Sequence, residues 1–439
     1  MKTIKTFHAV LANSLTASLT NTFVWFAVTF WVYLQTKSVL AMSFMAGIYL
    51  ATVAVSGFFL GSLVDRYPKK YSMLGSSVGS LVLYGLACLI YVLTPARDFT
   101  SPSSVALWAF IALALFGAIA GNLRSIALST LVTVLVPEDE RDKANGLVGS
   151  ANGIAFLLSS VLSGLVIGYL GMFWMLVLAL VLTAFVIVHL VTIALPEKEA
   201  AQTEEQTNQI DIRGTIRAIN LVPGLFGLIF FSTFNNFLGG VFMALMDAYG
   251  LLLVSVQQWG ILWGFLSLGF IVGGLVVAKK GLGDKPLRTM FLLNIVMWVI
   301  CIFFTVQSSI LLFTAGMFLY LCLIPAVEAA EQTILQKTIP PERQGRVFGF
   351  AQSLEQAASP LTAFLIGPIA QYVFIPFMTD GTGADLIGSW YGTGQARGIA
   401  LLFSVTGIIG LIMTMLAMRS FSYRKLSESY QEFQSETSV

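Results

Sequence analysis

Charge is what this chain has least of. Only 10% of its 439 residues are Asp, Glu, Lys or Arg, whereas 57% are hydrophobic. A water-soluble globule of that length has too few polar groups to cover its outside. A chain whose exterior faces lipid has no such need. The formal net charge of +2 is not gathered into the basic stripe of a nucleic-acid binder, so no nucleic-acid partner is expected. Histidine is down to His8 and His189, and cysteine to Cys88, Cys301 and Cys322, each far from the others and the cysteines all inside apolar runs. That excludes a conventional metal centre and a disulfide framework, and the cysteines read as small core hydrophobes. The nucleotide-binding pattern GxxxxGK[ST] is missing, so ATP is not the direct driver of whatever the chain does. No nucleophile or acid–base constellation of an enzyme stands out, and no cofactor is expected.

What the chain has in quantity is apolar runs long enough to cross a bilayer, which takes ~20 helical residues. They fall near 8–34, 41–64, 71–94, 104–135, 145–169, 172–194, 222–246, 257–278, 286–306, 309–337, 346–372 and 396–418. The first follows the basic start MKTIK and imitates a signal peptide, but it is too long for one and no small-residue cleavage site follows, so it reads as a retained span. The result is an all-α integral membrane protein of twelve transmembrane helices, its lipid bilayer a permanent partner. An even count puts both termini on one side. That side holds 20 of the 24 Lys and Arg, against only Lys37, Arg97 and Arg397 opposite and Arg124 within a span. By the positive-inside rule it is cytoplasmic, in a plasma or inner membrane. The chain divides into a first six-helix bundle (1–195), a linker (196–221), a second six-helix bundle (222–419) and a cytoplasmic tail (420–439). Glu197–Gln209 has too little apolar surface to fold alone. After it, Ile210, Ile212, Ile216 and Ile219 with Arg213 and Arg217 suggest a short amphipathic helix on the inner membrane surface.

The two bundles echo one another. VPEDER (Val136–Arg141) after span 4 matches IPPER (Ile339–Arg343) after span 10, and SVLSGLVIG (Ser160–Gly168) lines up with SPLTAFLIG (Ser359–Gly367). Six-helix pseudo-repeats of this kind are a transporter architecture. Between spans 2 and 3 stands GSLVDRYPKK (Gly61–Lys70). It resembles the loop signature of the major facilitator superfamily, Gly-x-Leu-x-Asp-Arg-x-Gly-Arg-Arg/Lys, with Pro68 for the second glycine and Lys69 for an arginine. The second-half counterpart GGLVVAKK (Gly273–Lys280) has lost the aspartate. Within that superfamily the chain is similar to the macrolide-efflux-type (drug:proton antiporter-3) family. The residues behind this are EAAEQTILQK (Glu328–Lys337), PERQGRVFG (Pro341–Gly349) and GTG (Gly392–Gly394) before RGIALLF. Where drug antiporters often show Gly-Pro-x-x-Gly-Gly in span 5, this chain has SSVLSG (Ser159–Gly164). The resemblance implies the major facilitator fold. It also implies a conformational latch made by Gly61, Asp65 and Arg66, with Asp65 set against the positive N-terminal end of helix 11. Glu355, early in helix 11, would wire that interface.

Ionisable residues at membrane depth are costly and mark a pathway. Helices 3, 9 and 12 carry no charge in their interiors. Arg124 lies in helix 4, Glu328 and Glu331 in helix 10, Asn21 in helix 1, and Asn235 and Asn236 in helix 7. The resemblance implies that helices 1, 4, 7 and 10 line a central cavity, so these residues sit where that fold would wet them. Glu328 and Glu331, three apart, share a helical face, and two carboxylates in an apolar cavity resist ionising together. That suits taking up and giving off a coupling proton. Arg124 stands 13 residues before Pro137 and Glu328 12 before Pro340, a matched depth that points to an ion pair. Asn21, Asn235, Asn236 and Trp25, four residues after Asn21, are the candidate substrate-binding residues. Asp247 reads as solvated at the outer surface, His189 as interfacial, and the stretch from Thr379 to Arg397 as a flexible outer connection.

The expectation is a monomeric secondary active transporter, using the proton gradient to export amphipathic or hydrophobic small molecules by alternating access. Two rivals stand beside it: export or uptake of a specific metabolite or siderophore, and a membrane sensor or scaffold that transports nothing. The topology is testable by itself. In a background without the native cysteines, a cysteine at Ser389 should react with an impermeant maleimide added outside whole cells, and one at Thr203 should not. The reverse pattern would overturn the orientation.

Overall fold

The computed structural model describes residues 2–66, 68–121, 141–195, 216–217, 219–339 and 341–437, with 123–124, 127–128, 131 and 135–136 in between. The side chains of 2–4, 57–66, 141–146, 149–150, 336, 341–346, 348–349 and 431–437 lie outside that description. Among the described residues every regular element is helical. The long helices are α1 (Lys2–Thr36), α2 (Val39–Arg66), α3 (Lys69–Leu93), α4 (Val105–Ala120), α5 (Arg141–Tyr169) and α6 (Gly171–Thr192). They continue with α7 (Leu225–Leu253), α8 (Val256–Lys280), α9 (Pro286–Phe303), α10 (Ile310–Thr338), α11 (Pro341–Ile369), α12 (Gln395–Arg419) and α13 (Phe421–Thr437). Among the described residues eleven are long and apolar enough to cross a membrane; α4, a shorter apolar helix, is the continuous described part of span 4. The twelve expected spans are thus matched by α1 to α12, and α13 is an addition.

The chain forms two compact units, Met1–Glu204 with Val254–Phe265, and Glu205–Leu253 with Leu266–Val439. In the first, α1 packs along α5 and α6, and α3 along α4 and α6. Ser159 and Ser163, the departure from the drug-antiporter pattern, donate to the carbonyls of Leu19 and Phe23 in α1 at 2.7 and 2.9 Å. Small hydroxylated residues thereby let two helices meet closely and give each hydroxyl an acceptor where water is scarce. At the basic end, Lys70 donates to the carbonyls of Val191 (3.1 Å) and Ile193 (2.7 Å), closing the C-terminus of α6 with a positive charge. At the other end, Trp31 is buried edge-on against Phe99, Phe110 and Tyr91, holding the 3₁₀ turn Ala96–Phe99 down.

In the second unit, α7 lies along α11, and α9 along α10 and α12. Gly269 and Gly273 of α8, one turn apart, face the backbone of Phe318 and Cys322 in α10, where a Cβ would be tight at Gly269 and would collide at Gly273. The glycine that the sequence offered as a relic of a loop signature is therefore a helix-packing residue. Pro325 then interrupts the hydrogen-bond ladder of α10 one turn before Glu328. The tail is helical: Leu426 and Tyr430 of α13 are buried in one core with Leu225, Ile229, Met290, Phe291 and Ile334.

The stretch from Thr379 to Arg397, expected to be a flexible connection, holds a ten-residue helix, Thr382–Tyr391, which follows a π-helical turn (Ala370–Phe374) and Ile375–Thr379. Arg397 holds it to the bundle. It is 2% exposed; its Nη2 donates to the carbonyls of Thr305 (2.7 Å) and Val306 (2.8 Å), and its guanidinium lies 4.2 Å from the centre of the Tyr391 ring. The carbonyls just past the end of α9 thus receive a cation, and that cation is covered by an aromatic face. Asp247, expected to be solvated, is buried within α7 at 9% exposure. Replacing Arg397 by alanine removes charge-assisted hydrogen bonds worth roughly 1.5–3 kcal/mol apiece at the buried carbonyls. Thermal unfolding of the purified variant, followed by tryptophan fluorescence, should show a clearly lowered midpoint; an unchanged midpoint would mean that this end closes without the arginine.

Candidate functional site

Each unit gathers its own polar side chains at depth. In the first, serines of α3 recur at helical spacing, Ser72, Ser76, Ser77 and Ser80, all buried. Ser76 and Ser80 donate to the carbonyls of Ala120 and Gly117 at 2.7 Å, pinning α3 to the end of α4. Ser77 instead accepts from Nη1 of Arg124 at 2.8 Å. Arg124 is 3% exposed, and its Nε and Nη2 find no hydrogen-bond partner among the described residues. Beside it Thr20, Asn21, Ser76, Ser80 and Thr183 line a space of about 10 Å³, enough for about one water molecule. The serine stripe was visible in the sequence at i, i+4 spacing, but without a charge in the interior of α3 it did not announce a partner for Arg124.

In the second unit Glu331 of α10 sits against the hydroxyl of Ser232 in α7 and the carboxyl of Glu355 in α11, and Glu328 is near enough to act on both acids. Glu331 Oε1 is sealed from solvent without a hydrogen bond of good geometry among the described residues. Glu328, one turn earlier, is exposed. The sequence put Glu328 and Glu331 on one face; the addition is Glu355, assigned from the resemblance to the latch at helix 11 and standing beside Glu331. A carboxylate 24 positions away on another helix carries no spacing signal, so only the packing of α10 against α11 reveals it.

The candidate substrate residues divide. Asn21 accepts from the Tyr84 hydroxyl at 2.8 Å, and Asn235 accepts from Trp298 Nε1 at 3.0 Å. Both pairs join the first and third helix of their unit across 63 residues of sequence, so the echo between the halves extends to an asparagine–aromatic tie. Asn21 and Asn235 are thereby engaged in holding helices together. Asn236 is exposed, its Nδ2 bonded to the Ser232 carbonyl at 3.1 Å. Trp25 stacks on Tyr49 of α2 with ring centres 4.0 Å apart. His189 lies 3.0 Å from Asn13 Nδ2, a polar pair between α6 and α1. Gly61, Asp65 and Arg66 belong to the last turns of α2, where side chains lie outside the described residues; the Glu197–Gln209 segment lies outside them altogether.

Comparison with known proteins bears on what such clusters serve. The family model of the Major Facilitator Superfamily matches residues 10–363. Macrolide efflux protein A of Streptococcus pyogenes is 21% identical over 391 residues, covering 86% of this chain and 92% of that protein. The protein of the same name from Enterococcus faecalis is 21% identical over 321 residues, covering 70% and 94%. Among solved structures, the bacterial homologue of the human lysosomal transporter Spinster, inward-facing and unoccupied, superposes with a TM-score of 0.68 at 13% identity, covering 98% of each chain. A D-xylose–proton symporter superposes at 0.64 with 15% identity, covering 94% and 96%. Twelve apolar helices, an internal echo and a family match over most of the length agree: the chain belongs to the Major Facilitator Superfamily, and is a transporter rather than an enzyme.

Proposed function

We propose that this transporter exports amphipathic or hydrophobic small molecules and is driven by protons moving the other way. The observation that carries the reading is the acidic group Glu328, Glu331 and Glu355, drawn from two membrane helices and partly shut off from water. Two carboxylates facing each other in apolar surroundings do not both hold a charge cheaply, so one proton shared between Glu331 and Glu355 is the stable occupant. Losing it leaves two like charges between α10 and α11 and favours whichever arrangement of those helices separates or wets them. Exposed Glu328 hands the proton on. Protonation thereby biases the two states of an alternating-access cycle, and substrate binding biases them in turn. The likeness to proteins named for macrolide efflux supports the export direction and the substrate class. Both termini are cytoplasmic by the basic bias. A single chain carries both polar clusters, and the working unit is the monomer.

Reconstituted vesicles loaded with a macrolide, basic inside and acid outside, should export it uphill, and inverting the gradient should stop that export. Glu331→Gln and Glu355→Gln each replace a titrating group by a permanently neutral one. Each should lose uphill export at least about tenfold, roughly 1.4 kcal/mol or more of coupling, while still exchanging substrate for substrate. Uphill export equal to the unmodified protein in both variants would exclude the pair as the proton site.

The loop signature yields a separate expectation. The resemblance would set Asp65 against a helix N-terminus, and Asp65→Asn would then remove an interaction worth ~0.3–1 kcal/mol when exposed and up to ~2 when partly buried. Transport rates should fall severalfold with substrate affinity nearly unchanged; an undiminished rate would make Asp65 an ordinary solvated charge.

A further inference from the structure

A cavity well above the scale of a few waters lies outside both polar clusters. It lies at the basic end of the second unit, where α13 turns back beneath α7, α9 and α12. Gly224, at φ +86°, and Gly227 lie so close to Ser422 that a Cβ on either would collide with it, and this lets the start of α13 sit directly on α7. Beside that contact the helices diverge and leave a space of about 300 Å³, lined almost wholly by apolar groups that include Phe230, Phe234, Met413, Leu416 and Ala417. That volume is at the lower end of small-ligand cavities, roughly 300–1,000 Å³. Phe230 and Leu416 at its edge are 59% and 57% exposed, on helices long and apolar enough to cross a membrane.

Leu287 and Tyr423 are shared with a second, polar space of about 140 Å³, bounded by Asp284, Lys285, Arg288, Ser427 and Tyr430. Arg288 lies close enough to the Tyr423 hydroxyl for its charge to act on it. Among the described residues, neither Lys285 nor Arg288 is in an ion pair, although Asp284 is adjacent in sequence. Lys279, Lys280, Arg419, Arg424 and Lys425 crowd the same end, with Glu428 already bonded to Lys425 at 3.3 Å. An apolar slot open to the hydrocarbon therefore continues into a hydroxyl-rich, basic pocket at the level where headgroups lie.

We propose that this pair of cavities binds one anionic phospholipid, an acyl chain in the slot under α13 and the phosphate between Lys285, Arg288 and the Tyr423 hydroxyl. A guanidinium fork and an ammonium match phosphate oxygens, and the uncharged, hydroxyl-bearing wall adds donors. A cargo molecule would not need the basic half, and a free phosphate would not need the apolar half. The site does not depend on how transport is energised. Its occupant ties α13 to the membrane surface and to the ends of α7, α9 and α12.

Native mass spectrometry of the purified full chain, exchanged into phosphatidylglycerol or phosphatidylcholine of the same acyl chains, provides the test. One phosphatidylglycerol should be retained per chain, with phosphatidylcholine retained at least about tenfold more weakly, as expected if two basic residues each contribute at the headgroup. Arg288→Glu, a surface change, should abolish the headgroup preference. Ala417→Phe, which fills the slot, should reduce retention of both lipids, with thermal unfolding showing that the variant is folded. Lys37→Glu, at the opposite end, should change nothing. Equal retention of the two lipids, or unchanged retention in Arg288→Glu and in folded Ala417→Phe, would overturn the proposal. So would displacement by inorganic phosphate alone, which would mean an ion site, or by a macrolide with loss of its binding in Ala417→Phe, which would assign the slot to cargo.

Discussion

Hydroxyl-to-carbonyl hydrogen bonds between neighbouring helices are what the rest of this architecture leans on. In hydrocarbon there is no hydrophobic gain from pressing one apolar helix against another, so close approach has to come from small side chains and from polar atoms that find acceptors. Ser159 and Ser163 supply it between α5 and α1, Ser76 and Ser80 between α3 and α4, and Ser359, bonded to the Asn236 carbonyl at 3.1 Å, between α11 and α7. Each such bond is modest, ~0.6 kcal/mol on average in membrane proteins. Their effect lies in geometry: they fix helix spacing closely enough that larger polar groups, Arg124 and the acidic group, are held at depth in defined surroundings.

Much of the fold could be read from the sequence because the membrane restricts the choices. The length of the apolar runs suffices to count the spans. What escaped that reading has a common cause. The order in the Thr382–Tyr391 segment, the burial of Arg397 and the docking of α13 all depend on partners far along the chain, and polar composition alone made each look like a solvated end. Arg397 is the clearest case: counted as an outer charge, it is 2% exposed because the free carbonyls beyond α9 and the Tyr391 ring solvate it in place of water.

The site was legible in part and for a definable reason. Helical periodicity put Glu328 and Glu331 on one face, and the cost of burying charge marked Arg124. Periodicity stops at the end of a helix, so it could not bring Glu355 to Glu331 or Ser77 to Arg124. It also could not separate asparagines that meet a ligand from those that meet a neighbour. Asn21 and Asn235 were attractive as binding residues because they are polar and deep; the structure spends their carbonyl oxygens on Tyr84 and Trp298.

That last pair changes how the internal repeat is understood. The donors differ chemically, a phenol in one half and an indole in the other, yet the acceptor, the helices joined and the separation of 63 residues are the same. A tie kept in position while its donor differs is a constraint on geometry rather than on a particular side chain. The polar clusters do not follow the same rule: the first unit buries a cation among serines, and the second buries acids. Two halves alike in how their helices are fastened are thus unlike in the charge they hold at depth.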